Sequence, residues 1–169
     1  MTPHRTDDEW LELLRDAHAA RAALMHALFV ELRDELGPER ALELIGRACH
    51  HLGLAKRARY EGYLGDDRSP ARFCRVLVEH SDVAAALFQM APGPVEDDGA
   101  VALLGRCVLV DGWRRLGVPD DEIAQLCTAA RRIDHGTAEG LALTASFDSL
   151  ISEGDDCCAM RVRRPSERG

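Results

Sequence analysis

Cys107 and Asp134 are the residues of this sequence whose types and surroundings suit chemistry, and the adjacent Cys157 and Cys158 raise the question of filler, redox pair, metal ligands or reactive site. Cys107 follows the apolar run AVALLGR (100–106), with Asp111 and Trp113 on the next turn. A thiol where a strand gives way to a helix N-terminus lies in a field that favours the thiolate, so by position Cys107 is the leading nucleophile; a buried inert thiol is the alternative. Cys127 and Asp134 are seven residues apart on a helical pattern and share a face, with Arg131 one turn after the cysteine and His135 beside the aspartate. A carboxylate on the inner face is costly unless paired and is therefore a site candidate, while an exposed Asp134 paired with Arg131 is the plain alternative. In CCAMRVR (157–163), strand alternation points Cys158, Met160 and Val162 one way and Cys157, Ala159, Arg161 and Arg163 the other. Cys158 thus faces the core, where a small buried hydrophobe is its simplest role.

Other chemistries find no support. The cysteines at 49, 74, 107, 127, 157 and 158 never form CxxC and no histidines stand at i, i+4, so a zinc site is not expected. No phosphate loop, GxSxG elbow or HExxH motif is present, and no cofactor or metal is called for. The formal net charge of −8, with Lys56 the one lysine, argues against nucleic acid as a partner; the arginine-rich end RVRRPSER reads as a solvated tail. The sequence shows neither an export signal nor an apolar run of membrane-spanning length, so the expectation is a soluble, cytoplasmic protein with reduced thiols and no membrane partner.

The elements that must position these residues follow from periodicity. Thr6 and Glu9 have capping-box spacing ahead of a long amphipathic helix over 7–36, which Gly37 and Pro38 stop. A second helix is predicted over 39–52 with Gly53 as its end, then a loop at 61–70 and a third helix from Pro70 to about Ser81. His50 and His51 cannot act as one unit on the second helix, and at least one reads as a surface residue. Residues 83–90 are ambiguous, 92–99 (PGPVEDDG) reads as a turn and 100–106 as a buried strand. A short helix at DGWRRL, a break at Gly117–Pro119 and a helix reaching about Gly140 follow. LALTASFDSLI and CCAMRVR then form a hairpin joined by SEGDD. Helices first and strands later make an α+β fold: a helical N-terminal half packed on a small antiparallel β-sheet in one domain, 1–169. Its mainly helical part is 7–82, its α+β part 83–163, and 164–169 a flexible tail.

The run from Cys107 through VLVDGWRRLGVPDDEIAQLC to Cys127, then DHGTAEGL from Asp134, then SEGDDCC ending at Cys158, resembles the L-2-amino-thiazoline-4-carboxylic acid hydrolase family. The likeness covers residues 100–163 well and the GPERALELIGRA and SPARF segments more loosely; Val108 stands where the family carries proline after the first cysteine. It implies hydrolytic opening of a small cyclic amidine or thiazoline carboxylate, a carbon–nitrogen hydrolase activity, by Cys107, Asp134 and Cys158. Either a cysteine attacks and Asp134 relays the proton, or Asp134 activates water and the cysteines shape the pocket. Trp113, Cys127, Arg131, His135 and Arg106 are the expected substrate-binding set, an arginine holding the carboxylate.

Three other readings stay open. A relative could serve another small-molecule step in a biosynthetic pathway, such as a cyclase or lyase reaction. A non-catalytic thiol sensor or ligand-binding module would use the same cysteines without turnover. In the third, the first helix docks a partner or a second copy in a homodimer, though such a face is more often intramolecular core.

Overall fold

Thr6 starts the first helix as expected: its hydroxyl accepts from the Glu9 N–H, and the Glu9 carboxylate accepts from the Thr6 N–H at 2.7 Å. In the computed structural model, which describes residues 6–81 and 83–165, this helix is α1, Asp7–Leu36. Then come α2 (Pro38–Leu64), α3 (Pro70–Glu79), α4 (Val83–Leu87), β1 (Met90–Val95), β2 (Gly99–Leu104), α5 (Val108–Arg115), α6 (Asp120–Ala130), α7 (Arg132–Gly140), β3 (Thr144–Ser149) and β4 (Cys158–Arg163). A single turn of 3-10 helix, Ile151–Glu153, lies in the β3–β4 connection. The four strands form one antiparallel sheet in the order β1-β2-β4-β3, so the α+β architecture of helices packed on a small antiparallel sheet stands.

Three predicted elements differ from the observed ones, each for a physical reason. The second helix does not end at Gly53 but runs through it to Leu64. Gly53 is instead a point of contact: a Cβ there would lie 2.1 Å from the Ile133 carbonyl oxygen, and one on Gly136 would lie 2.2 Å from that of His50. The pair of glycines lets the backbones of α2 and α7 meet directly, a packing role that reads in sequence as a stop signal. Of PGPVEDDG, the first four residues belong to β1, an edge strand that tolerates Pro92 and Pro94 because one side of it needs no N–H donors. The turn itself is confined to Asp97 and Asp98, closed by mutual bonds between Glu96 and Gly99. Finally, the helix expected to reach Gly140 breaks at Arg131 into α6 and α7.

The register of the sheet brings the two ends of the chemistry together. Leu104 of β2 pairs with Cys158 of β4, Ala102 with Met160 and Ala100 with Val162, so the inward alternation expected for Cys158, Met160 and Val162 holds. Cys107 follows three residues after Leu104 as the N-cap of α5. The Trp113 indole N–H donates to the Ala22 carbonyl at 2.9 Å, and Gly112 lets α5 close onto Ala22, which fixes α5 against α1. His26 and Arg33 of α1 both reach Glu122 of α6, at 2.7 and 2.9 Å. On the outer face of the sheet Arg161 bridges Glu96 and Asp148.

Two apolar cores result. One gathers Phe29, Ile45, Trp113, Ile123, Leu126 and Cys127 between the helices; the other gathers Tyr60, Phe73, Val76, Leu141, Met160 and Val162 under α3. Leu104 and Phe147 border both. Among the described residues, no helix is long and apolar enough to cross a membrane.

The glycine contact makes a sharp prediction. Gly136→Ala must push α2 and α7 apart and is expected to destabilise the protein by about 3 kcal/mol or more, with a Tm lower by roughly 5–10 °C. Gly62→Ala, on α2 but with nothing within 4 Å of its added methyl, is expected to be neutral or to stabilise by about 0.5–1 kcal/mol. Urea and thermal denaturation of the two variants side by side give the comparison, and equal effects would remove the contact from its structural role.

Candidate active site

Between the two cores lies a cavity of about 490 Å³. Into it converge Cys107 from the start of α5, Cys127 from α6, Asp134 from α7 and Cys158 from β4, together with Trp113 and Arg131. Four elements distant in sequence thus deliver the residues singled out from their pattern. Two do not reach the cavity wall. Arg106 turns to Asp111, its Nε 2.6 Å from that carboxylate, and His135 stacks on Phe147 with ring centroids 6.2 Å apart. Arg131 lies over the same ring, 5.9 Å from its centre, and does not pair with Asp134.

The first two helices bring charges that the sequence pattern did not single out: His18 and Arg21 of α1, Lys56 and Arg59 of α2. Arg21 and Lys56 keep contact with solvent at the cavity's mouth, whereas Cys127, Cys158 and Trp113 are buried. Lys56 had one legible signal, as the sole lysine in a chain otherwise using arginine. His18 and Arg21 had none, because only the apolar positions of α1 read as structure.

Desolvation dominates the electrostatics. Burial lifts the Asp134 carboxyl to about 6, partly opposed by the positive charge of Lys56. The same loss of water pushes Lys56 down, with Arg21 and Arg59 adding to the effect and Asp134 resisting it. All three cavity thiols are pushed up by burial, Cys107 to about 12. The N–H groups of Val110 and Leu109 at the start of α5 do favour the Cys107 thiolate, as its cap position led one to expect, but burial outweighs them. Cys158 accepts from the Ile151 N–H at 3.3 Å with the same result. At neutral pH the cavity therefore holds three protonated thiols and one carboxyl poised to gain or lose a proton.

Among the described residues, no cluster of three or more His, Cys, Asp or Glu could hold a metal ion. A second cleft of about 500 Å³, between Ser69–Ala71, Glu96–Gly99 and Arg163–Arg164, gathers no comparable group, and its Arg163 is already engaged with Asp98 at 3.2 Å.

The sequence matches the family described as L-2-amino-thiazoline-4-carboxylic acid hydrolase over residues 16–162. The chain belongs to this family. The match takes in α1 and α2 as well as the segments that carry the resemblance in the second half, so the helices that supply Arg21 and Lys56 are part of the family's domain. No curated protein sequence matches the chain. Among solved structures, trafficking protein particle complex subunit 3 from Naegleria fowleri, covalently bound to palmitic acid, superposes with a TM-score of 0.61 at 9% identity, covering 87% of this chain and 94% of that one. The phenol-responsive sensory domain of the transcription activator PoxR, solved with phenol, gives 0.60 at 17% identity, covering 89% and 76%. At these identities the likeness is one of fold.

The state of Asp134 is measurable through stability. In the unfolded chain its carboxyl releases its proton near 3.8, in the folded protein near 6, so between those values the folded state holds more protons and stability falls as pH rises. Asp134→Asn removes this dependence. Relative to the parent it is expected to gain up to about 3 kcal/mol at pH 7.5, the gain shrinking toward zero as pH approaches 4. Urea denaturation across that range checks it; a difference that does not change with pH would mean that the carboxyl is not held protonated.

Proposed function

We propose that this protein hydrolyses a small cyclic amidine acid of the aminothiazoline carboxylate type, with Asp134 as the acid–base group and water as the nucleophile. The observation that carries the reading is the Asp134 carboxyl, lifted to about 6 inside a cavity shared with Lys56. A group of that strength takes a proton and returns it at neutral pH, which an ordinary aspartate does poorly. Membership of the hydrolase family supports the reaction class.

In this scheme water adds to the ring carbon of the C=N bond as the Asp134 carboxylate takes one of its protons and passes it to the ring nitrogen. The tetrahedral centre then collapses to a carbonyl, the ring carbon–sulfur bond breaks, and the second water proton goes to the departing sulfur. A carbamoyl-cysteine results. Lys56 and Arg21 suit the substrate carboxylate better than Arg106, which is engaged with Asp111. Cys107, Cys127 and Cys158 shape and dry the inner wall rather than attack, because each thiol holds its proton at neutral pH.

The same thiol chemistry also supports a second reading, a ligand-binding module without turnover, and both structural neighbours were solved with a bound small molecule. Thiol-based sensing is the weaker form of it, since protonated buried thiols oxidise slowly.

A turnover assay with aminothiazoline carboxylate, followed by release of free thiol, separates these readings. Asp134→Asn is expected to lower kcat at least a hundredfold, and the parent's kcat/KM to rise with pH through about 6 as the carboxylate forms. Cys107→Ser and Cys158→Ser are expected to stay within about tenfold of the parent, and iodoacetamide to label both thiols slowly at neutral pH. Loss of activity in either cysteine variant comparable to that in Asp134→Asn would restore a thiol nucleophile; absence of turnover in the parent would leave the binding module.

A further inference from the structure

The cavity is too large for the substrate that the family's name describes. A water molecule's share of liquid volume is about 30 Å³, so even at one such share per atom, a ring acid of about nine non-hydrogen atoms fills little more than half of the 490 Å³. Cavities of this size enclose ligands considerably bigger.

The walls say what that occupant must be. Charge gathers on the side of α1 and α2, where Arg21 and Lys56 face the mouth, and Asp134 is the one carboxylate among the described lining residues. Lys56 feels the charge of Asp134 but makes no direct salt bridge among the described residues, so its ammonium still has donors to offer an anion at the mouth. Arg131 and Asp134 add polar groups on the side of α6 and α7, while the side of α3, α4 and the sheet is mostly hydrocarbon: Leu77 of α3, Val83 and Leu87 of α4, Met90 of β1, Phe147 of β3 and Met160 of β4. A partly desolvated cation needs an anion, and a long apolar wall needs an apolar chain.

We propose that the ligand of this cavity is an amphipathic acid, its carboxylate held at the mouth by Arg21 and Lys56 and its extended apolar chain lying between α4 and the sheet. As a statement about substrate this rests on the hydrolase reading and makes the natural substrate a ring acid with a large apolar substituent. As a statement about binding it stands on the cavity alone.

Calorimetric titration of the intact protein with the straight-chain carboxylates from butanoate to dodecanoate tests it, with octanol and octylamine as controls of equal length. Affinity is expected to climb by about fourfold per methylene through the shorter acids. Octylamine should bind at least tenfold more weakly than octanoate. The double variant Arg21→Gln, Lys56→Gln is expected to lose at least tenfold for octanoate and to keep its affinity for octanol. A flat series, or octylamine equal to octanoate, overturns the proposal, and if thiazoline turnover persists the hydrolase reading survives that failure. A climbing series in a protein with no turnover supports the amphipathic ligand and removes the hydrolase. Asp134→Asn, inactive in turnover but still binding octanoate, separates the acid–base role from the anchoring one.

Discussion

The close crossing of α2 and α7 is the constraint on which the rest depends. Gly53 and Gly136 bring two backbones into direct contact, and Lys56 and Asp134, each within a turn of that contact, both line the cavity. A side chain at either glycine would part the helices, move the ammonium from the carboxyl and let water between them. Both perturbed groups lie near this crossing: partial burial raises Asp134, and its shift is moderated because a cation is near. The balance of the two leaves it near neutrality rather than far above it.

Desolvation acts on every ionisable group that the cavity encloses, but it does not act to the same end. It moves a carboxyl upward into the range where proton transfer is efficient, and it moves thiols upward out of the range where they attack. The same dryness that equips Asp134 disarms Cys107, Cys127 and Cys158. A helix N-terminus offers Cys107 two N–H groups, and two such contacts are worth less than the loss of water around sulfur. That contest cannot be read from position, since the helix start is local in sequence and the burial comes from α6 and β4.

What was legible in the sequence was what local rules decide. The Thr6–Glu9 cap, the reach of α1 to Leu36, the inward face of Cys158 and the α+β order of elements all follow from patterns a few residues long. Gly53 was misread because its meaning lies some eighty residues away, at Ile133, and a glycine that ends a helix looks the same as one that lets another helix in. Asp134 and Cys127 share the cavity as their seven-residue spacing suggests, even though the helix joining them breaks at Arg131. Arg106, beside Cys107 in sequence, was captured by Asp111 on the first turn of α5, a choice between partners that only geometry makes.

The two-core design explains why a cavity exists at all. A single continuous core would have closed over the cysteines, but Leu104 and Phe147 touch both clusters without joining them, and the space between is left to a ligand. The wall so formed is asymmetric by construction. Helices α1 and α2 contribute their long charged side chains, which reach the mouth while their stems cover hydrocarbon, and the sheet contributes the inward half of an alternating strand, which is apolar. Charge at one end and hydrocarbon at the other thus follow from which type of element lies on which side, and a small ring acid would engage only one of those ends.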